Sequence, residues 1–364
     1  MRITDFMAKK ILVISTRAGW GHIRAAQALE EYARQNLPEI NVKHVDLCEI
    51  EPRLGKFFEI FYDIASDYLP LVWGAVYQTF DKPPVSAAFR KAGGFHRLFR
   101  RRISNYLKKE SPDGVIFTNV IPAPMVAPPC KKIFPHVPLA VVVTDYHGHS
   151  YYNVPAIDRY FAPVPEVKTD LARIGIPEDK IEVSGIPVGK KFYESYDREK
   201  IKKKLGIRNG FKTVVFVSRL SKEFIIPALE DLLALDPPIN LITVCGGNAG
   251  LYRKIKEQIG RRKNFKLINW TARLDEYMKS ADVVVGKPGG LIVSECLALK
   301  KKMVLIDPIP GQEERNAEFI ERHGYGRRAR NAAQIAALVR AADSQADKSF
   351  DGVDACAKIL NYFR

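Results

Sequence analysis

Apolar positions in this chain come in short runs of β-branched and aliphatic residues, each followed by a longer stretch where they recur every three or four positions. A strand buried on both faces is apolar throughout, whereas a crossover helix is apolar on one side, so the alternation is the pattern of parallel βαβ units. The runs predict strands at 10–15, 42–47, 114–118, 140–144, 159–162 and 181–184 in the first half. In the second half they predict strands at 213–218, 241–245, 266–269, 283–286 and 303–306. Helices fill most gaps, among them 23–36, 223–235 and 291–299. A charged stretch, 190–210, separates the two series. The expected organisation is a domain at 1–189, a linker at 190–210 and a second domain at 211–364, whose last helix is a candidate to pack back on the first domain. Both domains read as Rossmann-like α/β folds, and ligands of such sheets bind at the carboxyl ends of the strands. A cleft between the two sheets is therefore the expected site.

One region breaks the alternation. Residues 54–109 contain no good strand. The first part, 54–80, holds eight aromatics, Phe57, Phe58 and Trp73 among them, with apolar residues at helical spacing. The second part, 82–109, holds nine Lys or Arg and no Asp or Glu, with Arg97, Arg100, Arg101 and Arg102 beside Leu98, Phe99 and Ile103. An apolar face next to a cationic one suits a membrane interface. Each cation near an anionic leaflet contributes about 1 kcal/mol, so even half of the nine would hold a protein at a surface. The competing reading is a pair of core helices with a solvated basic face.

Charge strengthens the membrane reading. The 364 residues carry a net charge of +16, which calls for an anionic partner. No recognised nucleic-acid module appears, so nucleic acid is not the expected one. The five cysteines are scattered and lack CxxC spacing, which fits reduced thiols in a cytoplasmic protein rather than a disulfide framework or a zinc site. The start is polar, and no apolar run is long enough to span a bilayer. A peripheral location on the inner face of the cell membrane is the expectation.

Three turns carry candidate chemistry. Gly19-Trp20-Gly21-His22 follows the first strand and opens a helix. Its glycines allow close backbone approach, but Arg24 stands where a dinucleotide fingerprint needs a third glycine, so a nicotinamide site is a poor fit. His22 sits at a helix N-terminus, which disfavours its charged form and suits it to accept a proton from a hydroxyl. Gly286-Lys287-Pro288-Gly289-Gly290-Leu291 also joins a strand to a helix, and the free N–H groups of Gly290 and Leu291 would point at a diphosphate. Glu295, about one turn further on, is placed to accept both hydroxyls of a ribose. Gln312, Glu313 and Asn316 open the next helix as a fan of hydrogen-bonding groups suited to sugar hydroxyls. A fourth segment, Thr144-Asp145-Tyr146-His147-Gly148-His149, ends a strand of the first domain. Two histidines at i, i+2 without a third ligand are weak grounds for a metal, and no Asp-x-Asp pair is present, so no metal site is expected.

Four segments together carry a resemblance: Gly19-x-Gly21-His22-x-x-Ala25-Ala26; Val143-Thr144-Asp145-Tyr146-x-x-His149; Gly185-Ile186-Pro187-Val188; and Lys287-Pro288-Gly289-Gly290 through Asn316. In this combination the chain resembles the monogalactosyldiacylglycerol synthase and processive diacylglycerol glucosyltransferase family, and more remotely the peptidoglycan N-acetylglucosaminyltransferase. The resemblance implies a GT-B fold, two Rossmann-like domains with parallel sheets facing an interdomain cleft. It implies inverting transfer of a hexose from a UDP-sugar to a lipid hydroxyl, that of diacylglycerol or a glycolipid, with the UDP-sugar as a substrate and no cofactor. Carried onto this chain, His22 and Asp145 are the candidate catalytic groups. Gly289, Gly290, Leu291, Glu295, Gln312, Glu313 and Asn316 would meet the donor. Gly19, Gly21 and His149 would line the acceptor side. The chain departs from the family after the first strand of the second domain, where Val217-Ser218-Arg219-Leu220-Ser221-Lys222 replaces a glycine-rich loop and Arg219 would meet the phosphates. Two alternatives stand beside this reading: a polyprenyl-linked acceptor, and a GT-B sugar-nucleotide epimerase, which would not need the insertion at 54–109. A non-catalytic membrane-binding protein would have no reason to combine His22, Glu295 and the 312–316 group.

Overall fold

The structure, a computed structural model, describes residues 8–16, 20–54, 70–92, 94–219, 223–342 and 354–364. The chain divides into two units. Met1–Lys190, Pro310–Gln312 and Gly352–Arg364 form the first; Lys191–Ile309 and Glu313–Asp351 form the second.

The first unit is built on a six-stranded sheet of order β2-β1-β3-β4-β5-β6, with every pair parallel. The strands are β1 (Lys9–Ser15), β2 (Ile40–Asp46), β3 (Gly114–Phe117), β4 (Leu139–Val142), β5 (Arg159–Ala162) and β6 (Ile181–Val183). Ile11, Leu12, Val13 and Ile14 of β1 have no exposed surface, because helices cover both faces of the sheet. Helix α1 (Trp20–Asn36) returns from β1 to β2 and buries Ala26, Leu29 and Ala33 on one side. After a short α2 (Leu47–Ile50), the region expected to lack strands holds α3 (Pro70–Phe80), α4 (Pro83–Ala92) and α5 (Gly94–Glu110). Helices α3 and α4 begin on proline, whose fixed φ and missing N–H suit a first turn. On α5, Phe99, Ile103 and Leu107 recur every fourth residue and are buried, while Arg100, Arg101 and Arg102 are exposed. Helices α6 (Ala123–Ile133) and α7 (Pro165–Arg173) follow β3 and β5.

The second unit has a six-stranded parallel sheet of order β12-β11-β10-β7-β8-β9. Five strands match the apolar runs: β7 (Thr213–Val217), β8 (Asn240–Val244), β9 (Phe265–Ile268), β10 (Val283–Gly286) and β11 (Lys302–Leu305). The sixth, β12 (Gly326–Arg328), has no apolar residue and pairs at the sheet edge. Its helices are α8 (Arg198–Leu205), α9 (Ile225–Leu233), α10 (Ala249–Ile259), α11 (Leu274–Ser280), α12 (Gly290–Ala298), α13 (Gln312–Arg322) and α14 (Ala332–Ala341). The charged stretch at 190–210 holds α8, which groups with this unit: Asp197 caps it by accepting from Glu199 N and Lys200 N, and Gly206 at φ 65° ends it.

The last helix, α15 (Ala355–Asn361), belongs to the first unit. Ala355, Cys356, Ile359, Leu360 and Phe363 join Ile11, Val13, Leu29 and Ile116 in one core. Phe363 lies so close to the start of β3 that a Cβ on Gly114 would meet its ring at 2.5 Å, so this contact requires the glycine. All five cysteines are buried free thiols. Among the described residues no helix is long and apolar enough to cross a membrane.

Candidate active site

Parallel strands end at one edge of a sheet, and in the first unit that edge collects the polar groups. Ser15 ends β1 and Thr16 follows it, Thr118 and Asn119 follow β3, and Thr144 and Asp145 follow β4; all six are buried. His22 reaches this edge from the first turn of α1. Its Nδ1 lies 2.8 Å from Thr144 Oγ1 and 3.1 Å from the carbonyl oxygen of Thr118. The Thr118 hydroxyl in turn donates to the carbonyl of His22 at 3.0 Å, fastening the helix start to β3. Burial pushes the His22 pKa below the ordinary 6.5, against the upward pull of the Asp145 charge and the Thr118 carbonyl. The imidazole is therefore neutral at neutral pH and able to accept a proton. Asn119 braces the same edge, donating to Thr16 Oγ1 and accepting from Ile121 N. Gln312, from the short segment 310–312 that groups with this unit, donates to Asp145 Oδ2 at 2.6 Å.

Beyond Asp145 the two histidines have separate employments. His149 donates from Nε2 to the Tyr77 carbonyl (3.0 Å) and accepts at Nδ1 from Tyr151 N (3.1 Å), with its ring 4.4 Å from that of Tyr77. Backbone groups engage both nitrogens, so His149 clasps α3 to the loop after β4. His147 stands between two carboxylates: Nδ1 is 3.3 Å from Asp170 Oδ2 and Nε2 is 3.5 Å from Asp81 Oδ2. Burial alone would lower its pKa, but the carboxylates outweigh it and hold the value at about 9. The clamp ties the turn after α3 to α7. Its sign is fixed: a raised folded pKa gives stability that is complete below pH 6.5 and fades as pH rises through about 9. Thermal melts of the wild type are expected to lose at most about 3 kcal/mol over that window, and His147→Ala to flatten the dependence. Among the described residues no three His, Cys, Asp or Glu side chains group as metal ligands.

The second unit gathers its own groups where β7 to β11 end. Gly289 caps α12 with φ −67° and ψ 142°, and the first intrahelical bond runs from Val293 N to the Gly289 carbonyl. The N–H groups of the first turn have no partner inside the helix and form the positive end of its dipole. A Cβ on Gly289 would meet nothing nearer than 3.9 Å, so packing within the chain does not demand the glycine. Lys287 Nζ sits 3.7 Å from both Asp307 Oδ2 and Glu313 Oε2. Glu313 Oε2 also accepts from Ile309 N at 2.7 Å, which shapes the loop between β11 and α13. Glu295 and Asn316 are buried, at 1% and 0% exposure, on the inner sides of α12 and α13. Arg219 is exposed after β7, and its carbonyl accepts from Asn248 Nδ2.

Several expected residues fall outside the described set: Gly19, Phe57 and Phe58, and the side chains of Trp73 and Arg97. Gly21 lies in the first turn of α1. Sequence reading gave no role to Thr118, Thr144, Lys287 or Trp270. Trp270, just past β9, is 69% exposed, and its Cδ1 would stand 3.9 Å from a Cβ on Gly247. A tryptophan this exposed, next to the Gly246-Gly247 turn, offers a free aromatic face at the same sheet edge as Gly289. Only its place beyond a strand end could have marked it in the sequence.

Two family descriptions match successive parts of the chain. The family description "Monogalactosyldiacylglycerol (MGDG) synthase" matches residues 22–188, and "Glycosyl transferases group 1" matches 197–348. The processive diacylglycerol beta-glucosyltransferase of Staphylococcus carnosus is 30% identical over 88% of this chain and 81% of its own length. The enzyme of the same name from Staphylococcus saprophyticus is 30% identical over 94% and 87%. Among solved structures, the UDP-GlcNAc 2-epimerase of Neisseria meningitidis bound to UDP-GlcNAc superposes with a TM-score of 0.60 over 97% of this chain and 99% of that one. At 15% identity that likeness shows the fold, GT-B, and nothing of the reaction. The 30% identity over most of both chains goes further: this chain is a hexosyltransferase of GT-B fold and belongs to the family of the processive diacylglycerol glucosyltransferases.

Proposed function

We propose that the protein transfers a hexose from a UDP-sugar to the hydroxyl of a diacylglycerol-type lipid at an anionic membrane surface, with inversion and without a required metal. The observation that carries this reading is His22, a partly buried imidazole whose charged form is disfavoured, among the polar groups that end β1, β3 and β4. A lipid hydroxyl is a weak nucleophile, and a positioned base contributes about 10²–10⁴ in rate. A base that activates the acceptor for direct attack on the anomeric carbon gives a single displacement, hence inversion. On the donor side, the α12 N-terminus and Lys287 supply positive charge where the diphosphate leaves. Trp270 offers a stacking face for the base, and Glu295 is the candidate for the ribose. Asp145, with Gln312 on its carboxylate, is the candidate acceptor-side partner of His22.

The membrane part rests on two surfaces of the first unit. Helix α3 exposes an apolar patch of Val72, Ala75, Val76, Thr79 and Phe80. Between α5 and α6 runs a groove of about 410 Å³, where Arg100, Lys108 and Lys132 stand beside Pro128 and Ile133. A cationic groove with an apolar wall matches a lipid phosphate on its acyl chains. A peripheral place on the cytoplasmic leaflet follows, because that leaflet carries the anionic lipid.

A radiolabelled transfer assay tests the proposal. Vesicles would contain diacylglycerol, with and without anionic lipid. The donors would be UDP-glucose, UDP-galactose and UDP-N-acetylglucosamine, UDP-glucose first because the Staphylococcus relatives are named glucosyltransferases. Label should enter the lipid phase with one donor, survive EDTA, and appear faster on anionic vesicles. Charge removal at Arg100, Lys108 and Lys132 together should cancel the anionic advantage. No label in lipid from any donor, in protein that still binds UDP, would overturn the reading.

A further inference from the structure

A base needs a lone pair on the nitrogen that meets the acceptor, and neutral imidazole has two forms. Free histidine in water favours the form with hydrogen on Nε2, which would leave Nε2 unable to accept. The surroundings of His22 impose the other. Its Nδ1 lies 3.1 Å from the Thr118 carbonyl oxygen, an atom that only accepts. A bare Nδ1 there would set two lone pairs against each other, so Nδ1 carries the hydrogen. Thr144 completes the arrangement: its hydroxyl lies 3.3 Å from the same carbonyl, donates to it, and turns a lone pair toward Nδ1 at 2.8 Å.

We propose that Thr144 is a positioning residue that, together with the Thr118 carbonyl, locks His22 in the tautomer with hydrogen on Nδ1 and a lone pair on Nε2. As a catalytic device the lock rests on the reading of His22 as the base; as a statement about the tautomer it stands on the geometry alone. Thr144 does not need to touch substrate. It acts through the ring, as second partners of functional histidines do elsewhere. Its burial at 3% exposure shields the interaction from competing water. The Thr118 hydroxyl has a separate task, since it donates to the His22 backbone carbonyl and fixes the helix start from which the ring projects.

The test uses protein labelled with ¹⁵N in histidine, with His22→Ala to assign the His22 signals. Wild type should show a protonated Nδ1 and a bare Nε2 for His22. Thr144→Val keeps the shape but removes the hydroxyl. It should shift the His22 nitrogens toward a mixture of forms and lower kcat about five- to tenfold, the weight of one neutral hydrogen bond, with KM for the UDP-sugar little changed. Thr144→Ser should restore both the spectrum and the rate, which a packing role for the threonine methyl would not do. A wild-type His22 with hydrogen on Nε2, or a Thr144→Val variant with an unaltered spectrum and rate, would overturn the proposal. Full transfer activity in His22→Ala would overturn the base reading instead, and the nitrogen signals of the wild type would still decide the lock.

Discussion

Replacing His22 with alanine is expected to lower kcat for transfer by about 10²–10⁴ while leaving UDP binding in place. The loss is large because the ring stands at the polar edge of the first sheet with Nε2 left for the acceptor, whereas His149 has both nitrogens on backbone and His147 is held between two carboxylates. UDP binding should survive because the candidate donor groups other than Gln312 lie in the second unit. The pH profile supplies an independent check. The neutral ring is the working form, so activity should hold at neutral pH and fall on acidification, with its limb below the ordinary histidine value of 6.5 because burial lowers the pKa. Asp145 pulls that pKa up, so Asp145→Asn should move the limb to still lower pH, whatever it does to the maximal rate. An acid limb above 6.5, or wild-type kcat in His22→Ala, would sink the assignment.

Deleting residues 354–364 is expected to unfold the first unit. Ile359 and Leu360 have no exposed surface and Phe363 has 4%. Each contributes about 1.5–3 kcal/mol by burial, so losing all three removes about 5–9 kcal/mol from a domain whose whole stability is typically about 5–15 kcal/mol. The deletion also opens Ile11, Val13 and Leu29 to water and breaks the bond from Lys9 Nζ to the Phe363 carbonyl. Scanning calorimetry should show the transition of the first unit lost or moved below room temperature, whereas that of the second unit stays. The single change Phe363→Ala should cost about 3–5 kcal/mol, leaving a folded protein for comparison. A truncated chain with the wild-type melting profile would show that α15 is dispensable.

The sheets were legible in the sequence because parallel strands covered on both faces must be apolar throughout, as Ile11–Ile14 and Val283–Val285 are. Strand β12 was not, because Gly326, Arg327 and Arg328 occupy an edge, where pairing is set by the neighbour Met303–Leu305 and not by burial. The Pro-Gly-Gly turn and the His22 turn stood out because glycine beside a helix start is a local signal. The partners that give them chemistry did not. Thr118 and Thr144 are single threonines just beyond the ends of different strands, and only the sheet order β1-β3-β4 brings them to one ring. The Asp81–His147–Asp170 clamp likewise joins three residues far apart in sequence. Lys287 was visible inside its motif, but its position against Asp307 and Glu313 depends on the loop after β11.

The place of α15 also sets an order of events during synthesis. The first 190 residues leave the ribosome before any of the second unit, yet part of their core, Ile359 to Phe363, is translated after all of it. The nascent first unit must therefore wait, with the apolar faces of β1 and α1 incompletely covered, while the second unit emerges and closes its own core first. During translation the unit made second is the one able to finish, and the opposite end of the polypeptide completes the one made first.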